Sequence, residues 1–226
     1  MNRYKGIDPR STLLLRLVGY GLLTLALFDV ISIFFPAYFT DPNWEFQMLG
    51  ELVEKVPVPL LGIMLVLFGE ESFRQKPERL LVKILSWLTL VVGLLFLLLF
   101  PLGVLDTGRI NDRNTAQINN QVLTQLAQLQ QFKTQIEQAT TEAAINNLAR
   151  QANPQALLPE MNSQALKNKL LSDLAAAQAR IQAEAETTRK SQQLTLLKRS
   201  VKWNLGAVVA AVLFISIWRM TSWARR

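Results

Sequence analysis

Residues 84–105 read ILSWLTLVVGLLFLLLFPLGVL, and the character of the chain changes immediately after them. Residues 106–199 are polar and rich in glutamine and alanine, with Phe132 as their one aromatic side chain. A second apolar run, residues 201–218, follows directly. Apolar runs of this length can cross the roughly 30 Å hydrocarbon core of a bilayer as helices. The pattern therefore predicts a water-exposed helical segment that is held at both ends by membrane spans.

Two further apolar runs lie upstream. Residues 13–35 are long enough to cross a bilayer. They end in two phenylalanines and a proline, not in the small-x-small site of a cleaved signal peptide, which favours a retained span. Residues 56–69 would extend only about 21 Å as a helix. We expect this run to cross as well, and the alternative is a re-entrant or surface segment.

The four runs predict an all-α polytopic membrane protein with about four transmembrane helices. Its parts are an N-terminal membrane region (1–105), a long antiparallel helical hairpin (106–200) and a C-terminal span with a basic tail (201–226). Lys and Arg concentrate in the N-terminus, the charged loop 70–83 and the tail, which the positive-inside rule assigns to the cytoplasm. The acidic loop 36–55 and the hairpin are then periplasmic or lumenal. With three crossings, the hairpin would face the cytoplasm.

Apolar side chains in the polar segment recur every three or four residues, which indicates coiled helical arms. A partly disordered, glutamine-rich spacer is the alternative. The two stripes are Val122, Leu126, Leu129, Phe132 and Ile136, and then Leu166, Leu170, Leu174, Ala177 and Ile181.

Breaks in the hairpin are expected at two places. The tripeptide Asp106-Thr107-Gly108 is a candidate interruption at the start of the first arm. The pair Asn153-Pro154 stops that arm, because a residue before proline disfavours the helical conformation. The expected turn is residues 157–162, and the expected start of the second arm is Pro159 or Ser163.

The seam between the two arms is rich in alanine and buries little apolar area, so an isolated pair of helices would be marginally stable. We therefore expect other membrane-protein subunits, or a second copy of the chain, to cover it. The predicted partner-docking residues are Val122, Leu129, Phe132, Ile136, Leu166, Leu170, Leu174 and Ile181.

Reactive side chains are scarce. The chain has no cysteine and no histidine, which excludes disulfides, Cys/His metal sites and nucleophiles activated by histidine. The net charge of +7 falls largely in short segments beside the spans, so membrane orientation explains it better than nucleic-acid binding. We predict no catalytic, cofactor or metal site, no nucleic-acid partner and no enzymatic activity.

Two charges lie inside the first apolar run. An ionisable residue within a membrane span is a functional candidate by default, and an ion pair is the structural alternative. For Asp29 we favour the ion pair, and for Arg16 we favour snorkelling to the inner surface. The expected partners are Lys202 or Arg109 for Asp29, and Glu70 or Glu71 for Arg16.

Close helix packing is expected at several glycines of the apolar runs. They are Gly19, Gly21, Gly62 and Gly93.

The segments DPNWE (41–45) and GELVEKVPVPLLG (50–62) are distinctive. They resemble the HpsJ-like family of cyanobacterial membrane proteins, which is associated with hormogonium polysaccharide secretion. The order of parts, a membrane region, a coiled polar segment and a final span, is also similar. The resemblance implies a plasma-membrane or thylakoid protein of cyanobacteria and supplies no catalytic residue.

Three functions fit these observations. The leading hypothesis is a scaffold or accessory subunit whose hairpin docks a partner. A component of a polysaccharide secretion apparatus is the second, as the resemblance implies. A small transporter or channel subunit that uses Asp29 is the third, although one acid is a thin lining for a pore.

Overall fold

The protein is all-helical in a computed structural model that describes residues 9–68, 76–152 and 162–225. These residues contain no strand, which confirms the predicted all-α class. The elements are α1 (Pro9–Phe34), α2 (Pro42–Lys55), α3 (Pro57–Leu67), α4 (Lys76–Gln138), α5 (Glu142–Ala152), α6 (Ser163–Met220) and a final 3-10 turn (Ser222–Arg225).

Among the described residues, three helices are long and apolar enough to cross a membrane. Their candidate spans lie within Arg10–Phe34, Glu78–Gln138 and Ser163–Met220. Large apolar side chains such as Leu17, Phe28 and Leu98 are exposed along them, as expected for surfaces that contact lipid. The helix of the short apolar run, α3, has 11 residues, so its crossing stays a prediction.

The chain divides into two compact units. Unit 1 contains Met1–Ile110 and Leu196–Arg226, and unit 2 contains Asn111–Thr195. The long helices α4 and α6 contribute residues to both units.

The prediction of a loop over residues 36–55 was wrong for most of these residues, because α2 begins at Pro42. The Asp41 carboxylate caps this helix by accepting a hydrogen bond from the Asn43 backbone N–H at 3.4 Å, and proline suits the first helical position. Phe46 and Leu49 are buried on one face, so apolar packing holds a segment whose acidic residues suggested a loop.

The charged loop 70–83 is shorter than predicted. Residues 69–75 lie outside the described part of the chain, and α4 already begins at Lys76. Lys83 is therefore helical.

The helix α4 continues through Asp106-Thr107-Gly108, where an interruption was expected, and it also contains Pro101. It ends at Gln138 and α5 follows at Glu142, so the first arm is broken before the stop that was expected at Asn153-Pro154.

The expected stop at Asn153-Pro154 and the start at Pro159 lie outside the described residues, as does most of the turn 157–162. The alternative start at Ser163 is confirmed by the first residue of α6.

Glycines bring the helices of unit 1 close together. A Cβ added to Gly19 would lie 2.8 Å from the Val66 backbone nitrogen and 2.9 Å from the Gly62 carbonyl oxygen, so α1 and α3 meet backbone to backbone. One added to Gly93 would lie 2.8 Å from Cγ1 of Ile215, where α4 meets α6. A Cβ added to Gly21 would meet no neighbouring atom within 4 Å, so Gly21 takes no part in this packing.

The apolar core of unit 1 draws on α2, α3, α4 and α6. Its Phe96 and Phe214 rings stack with centroids 6.0 Å apart. The buried members are Leu49, Val56, Ile63, Phe96, Ala207, Ala210, Ala211 and Phe214.

Unit 2 has its own apolar cluster, to which α4, α5 and α6 all contribute. Its buried members are Ile136, Ile145, Ala149, Leu166 and Leu170, with Phe132, Ala139, Leu148, Leu171 and Leu174 packed against them.

Candidate functional site: polar contacts among the helices

Asp29 forms an ion pair, but with a partner that was not predicted. Its Oδ1 lies 2.7 Å from Nζ of Lys55, and both side chains are partly exposed. The expected partners are engaged elsewhere: Lys202 Nζ lies 2.7 Å from Oε1 of Glu54, and Arg109 binds Asp106 in α4 and Glu45 in α2. Lys55 is the last residue of α2, so the pair joins α1 to the end of α2, just before α3.

Arg16 is buried, with 5% of its surface exposed. The prediction that its side chain extends to the surface was therefore wrong. Its Nε donates to the Phe68 carbonyl oxygen at 3.3 Å, and Nη1 lies 3.2 Å from Oε1 of Glu78. The expected partners Glu70 and Glu71 lie outside the described residues. The guanidinium therefore links α1 with the residue after α3 and the first turn of α4.

A third charged residue, Asp106, is the most deeply buried charged group described. Its side chain has no exposed surface, and its Oδ1 accepts a hydrogen bond from Nη1 of Arg109 at 3.0 Å. The same nitrogen lies 3.3 Å from Oε2 of Glu45 in α2. In the described part of the chain, Oδ2 of Asp106 has no hydrogen-bond donor.

Asp106 is the first residue beyond the apolar run 84–105. Burial, and then the nearby Glu45 carboxylate, raise the pKa of Asp106 to about 6, against the opposing effect of Arg109. Its carboxyl group is therefore poised to take up a proton in weakly acidic solution.

Neutral polar groups continue this site towards α6. Oγ1 of Thr107 donates to Oγ of Ser200 at 2.7 Å, and Nδ2 of Asn204 donates to the Ser200 carbonyl oxygen at 2.8 Å. Ser200 and Asn204 are buried, and the backbone of Gly103 approaches the Asn204 amide closely. We call Glu45, Asp106, Arg109, Thr107, Ser200 and Asn204 the Asp106 cluster.

The contact between α2 and α6 is made by Trp203. Its Nε1 donates to Oε1 of Glu54 at 3.1 Å, and its ring packs against Phe46 with centroids 4.7 Å apart. A Cβ on Gly50 would overlap the indole, so glycine is required at this position of α2.

The basic tail folds back onto the membrane helices. The Arg225 guanidinium carbon lies 4.5 Å from the centroid of the Trp218 ring and 5.9 Å from that of Trp87. Its Nη1 donates to Oγ of Ser86 at 2.7 Å, and the same hydroxyl bonds Oγ1 of Thr221. These contacts fix the end of α6 against the start of α4.

The predicted docking residues are of two kinds. Ile136, Leu166 and Leu170 are buried in the cluster of unit 2 and hold its three helices together. The other five are half-buried: Val122, Leu129, Phe132, Leu174 and Ile181. Docking of a partner on them stays a prediction.

The contacts just described can be set against known proteins. A family model described as HpsJ-like protein matches residues 10–222. The chain belongs to the HpsJ-like family. A search of curated proteins and a search of solved structures found no match. The family match begins in α1 and ends in the final 3-10 turn, so it extends the resemblance seen in residues 41–62 to nearly the whole chain.

The chemistry open to this HpsJ-like protein is limited by its side chains. The described residues contain no group of three or more acidic, histidine or cysteine side chains that could hold a metal ion. The polar contacts described above join separate helices to one another. Sequence reasoning missed this role of Asp106, although an acid after an apolar run with an arginine three residues later was a visible signal.

Proposed function

We propose that this HpsJ-like protein is a non-enzymatic integral membrane scaffold or accessory subunit, whose unit 2 docks a partner protein outside the cytoplasm. The observation that carries the proposal is unit 2 itself. Its three helices enclose a small apolar cluster, and its long helical faces present chiefly glutamine, alanine and scattered charges. Such a body offers surface for recognition.

A helical hairpin is the arrangement we propose for unit 2. Arg189 in α6 bonds Oδ1 of Asn119 in α4, and Nζ of Lys167 donates to the Glu137 carbonyl oxygen at 2.8 Å. The partner of the later α4 residue comes earlier in α6, so the two contacts support antiparallel pairing. The lysine also satisfies carbonyl groups at the end of α4, which have no partner within the helix.

Four crossings are the topology we propose. Only Val56 separates α2 from α3, so the apolar helix can be extended upstream to Leu49 to reach the length of a span. The basic N-terminus, the residues 70–83 and the basic tail then share the cytoplasmic side. Unit 2 is periplasmic or lumenal in this topology, and three crossings would reverse its side.

A role in polysaccharide secretion is the second candidate, and family membership favours it. The two candidates are compatible, because the docked partner can belong to a secretion apparatus. The membrane would be the plasma membrane or thylakoid of a cyanobacterium, and self-association through unit 2 is the alternative to a different partner.

Topology is tested first, by chemical labelling. The chain lacks cysteine, so Gln128→Cys creates a single thiol in unit 2. We expect a membrane-impermeant maleimide to label it from outside the cytoplasmic membrane. For a chain in the plasma membrane, labelling only after the cytoplasm is opened would refute the extracytoplasmic placement. For a chain in the thylakoid, labelling of intact isolated thylakoids would refute it.

Docking is tested by charge substitution on unit 2. Leu123 is 65% exposed, so Leu123→Glu alters the surface of α4 at little cost to its packing. We expect Leu123→Glu, combined with Leu129→Glu, to lose partners that co-purify with the full chain from gently solubilised membranes. Gln128→Glu adds charge at an exposed polar position of the same helix and should retain them. Unchanged complexes in the double variant, with its helix content intact, would refute docking on this face.

A further inference from the structure

The buried carboxylate of Asp106 has one oxygen without a donor. Its Oδ1 is held by Arg109, while Oδ2 is buried with no hydrogen-bond donor in the described part of the chain. Burying an ionised oxygen without a donor is costly, and protonation removes that cost. The site therefore has a place for a proton.

A second acid competes for the same arginine. The single nitrogen Nη1 of Arg109 lies 3.0 Å from Oδ1 of Asp106 and 3.3 Å from Oε2 of Glu45. Because both oxygens contact one nitrogen, the two carboxyl groups lie near each other. A direct hydrogen bond between them requires a proton on one of them, because two carboxylates offer only acceptors.

The surroundings leave this negative charge uncompensated. The charged groups that act on Asp106 are Glu45 from α2 and Arg109 from its own helix. On α6, the uncharged Ser200 and Asn204 contact Thr107 and Gly103 on either side of Asp106 in sequence. Lys202 of α6 is bound to Glu54. Two acids and one arginine carry a net charge of −1, which burial disfavours.

We propose that Asp106 binds one proton on its buried carboxyl group, beside the Glu45 carboxylate and oriented by Arg109. The proton is taken from solvent as the pH falls and returns to solvent as it rises, and no other bond is made or broken. Since Glu45 belongs to α2 and Asp106 to α4, proton release leaves two carboxylates repelling each other across this helix contact. The contact between α2 and α4 therefore depends on protonation. This property goes beyond the proposed scaffold function and does not depend on a docked partner.

Infrared difference spectroscopy of the full chain in lipid nanodiscs tests the proposal. The titration runs from about pH 7.5 to about pH 5.0, above the ordinary pKa of Asp and Glu near ~4. We expect the carbonyl stretching band of a protonated carboxyl group to appear in this window and to be lost in Asp106→Asn. Glu51→Gln is the matched control, because Glu51 lies on α2 but binds Gln47 at 3.0 Å. Absence of the band in the unaltered protein, or its persistence in Asp106→Asn, overturns the proposal.

Two further variants make the test independent of whether Asp106→Asn folds. Glu45→Gln removes the neighbouring negative charge and should move the titration midpoint down by about one pH unit. Arg109→Gln removes the cation and should move it up by about the same amount. Opposite shifts support a proton on Asp106 that is influenced by both neighbours, whereas an unchanged midpoint in both variants, or shifts of one sign, contradicts it.

Discussion

Nζ of Lys55 lies 2.7 Å from Oδ1 of Asp29, joining the last third of α1 to the end of α2. Asp29→Asn or Lys55→Met should each lower the free energy of unfolding by about 1 kcal/mol, since both side chains are partly exposed. The double variant should lose less than the sum of the two, because neither charge is then left alone. Thermal unfolding in nanodiscs, followed by circular dichroism, measures all three.

A variant of this ion pair also distinguishes the scaffold hypothesis from the transporter hypothesis. A structural pair predicts that Asp29→Asn weakens the fold but changes no ion flux in liposomes. An ion-coupled flux that disappears in Asp29→Asn, with assembly intact, would identify Asp29 as functional instead.

The contact between α1 and α3 provides a second prediction, with a control in the same helix. Gly19→Ala places a methyl group against the backbones of Val66 and Gly62, and should destabilise unit 1 by about 1–3 kcal/mol. Gly21→Ala meets no atom and should stabilise α1 by about 0.5–1 kcal/mol, because alanine favours helix over glycine. Apparent melting temperatures that shift equally in the two variants would contradict the close approach.

The helical class and the long apolar helices could be predicted because hydrophobic run length reflects the bilayer directly. The α2 helix was missed because its acidic residues outweighed the weaker signals of the Asp41-Pro42 cap and the apolar positions Phe46 and Leu49. Such an amphipathic segment becomes recognisable only once the core that it packs against is known.

Ion-pair partners were predicted poorly for a related reason. Sequence spacing identifies neighbours within one helix, as for Asp106 and Arg109 three residues apart. Pairing of Asp29 with Lys55, or of Arg16 with Glu78, depends on how separate helices pack. Matching residues by expected membrane depth, which suggested Lys202 or Arg109 for Asp29, left several cations at similar depth and could not choose among them.

The cluster of unit 2 provides the third prediction. Ile136 is completely buried, so Ile136→Ala should cost about 2–5 kcal/mol through lost packing and the cavity left behind. Leu123→Ala, at an exposed position of the same helix, should change stability by less than about 0.5 kcal/mol. Amide hydrogen exchange of α5 reports the difference, because α5 packs in the cluster through Ile145 and Ala149. Unchanged protection of α5 in Ile136→Ala would contradict the packing described for unit 2.

Stability should depend on pH through Asp106. Its pKa is raised from the ordinary 3.8 to about 6 in the folded protein, so between these values the folded state holds a proton that the unfolded state has released. The unfolded state therefore binds fewer protons in this window, and stability falls as the pH rises from about 4 to about 6, with no further change from this group above it. Melting temperatures of the full chain should decline across that range, and Asp106→Asn should remove this part of the decline. A decline of the same size in Asp106→Asn would assign the decline to other carboxyl groups. If stability instead rises across this window in the unaltered protein, and Asp106→Asn abolishes the rise, folding lowers the pKa of Asp106.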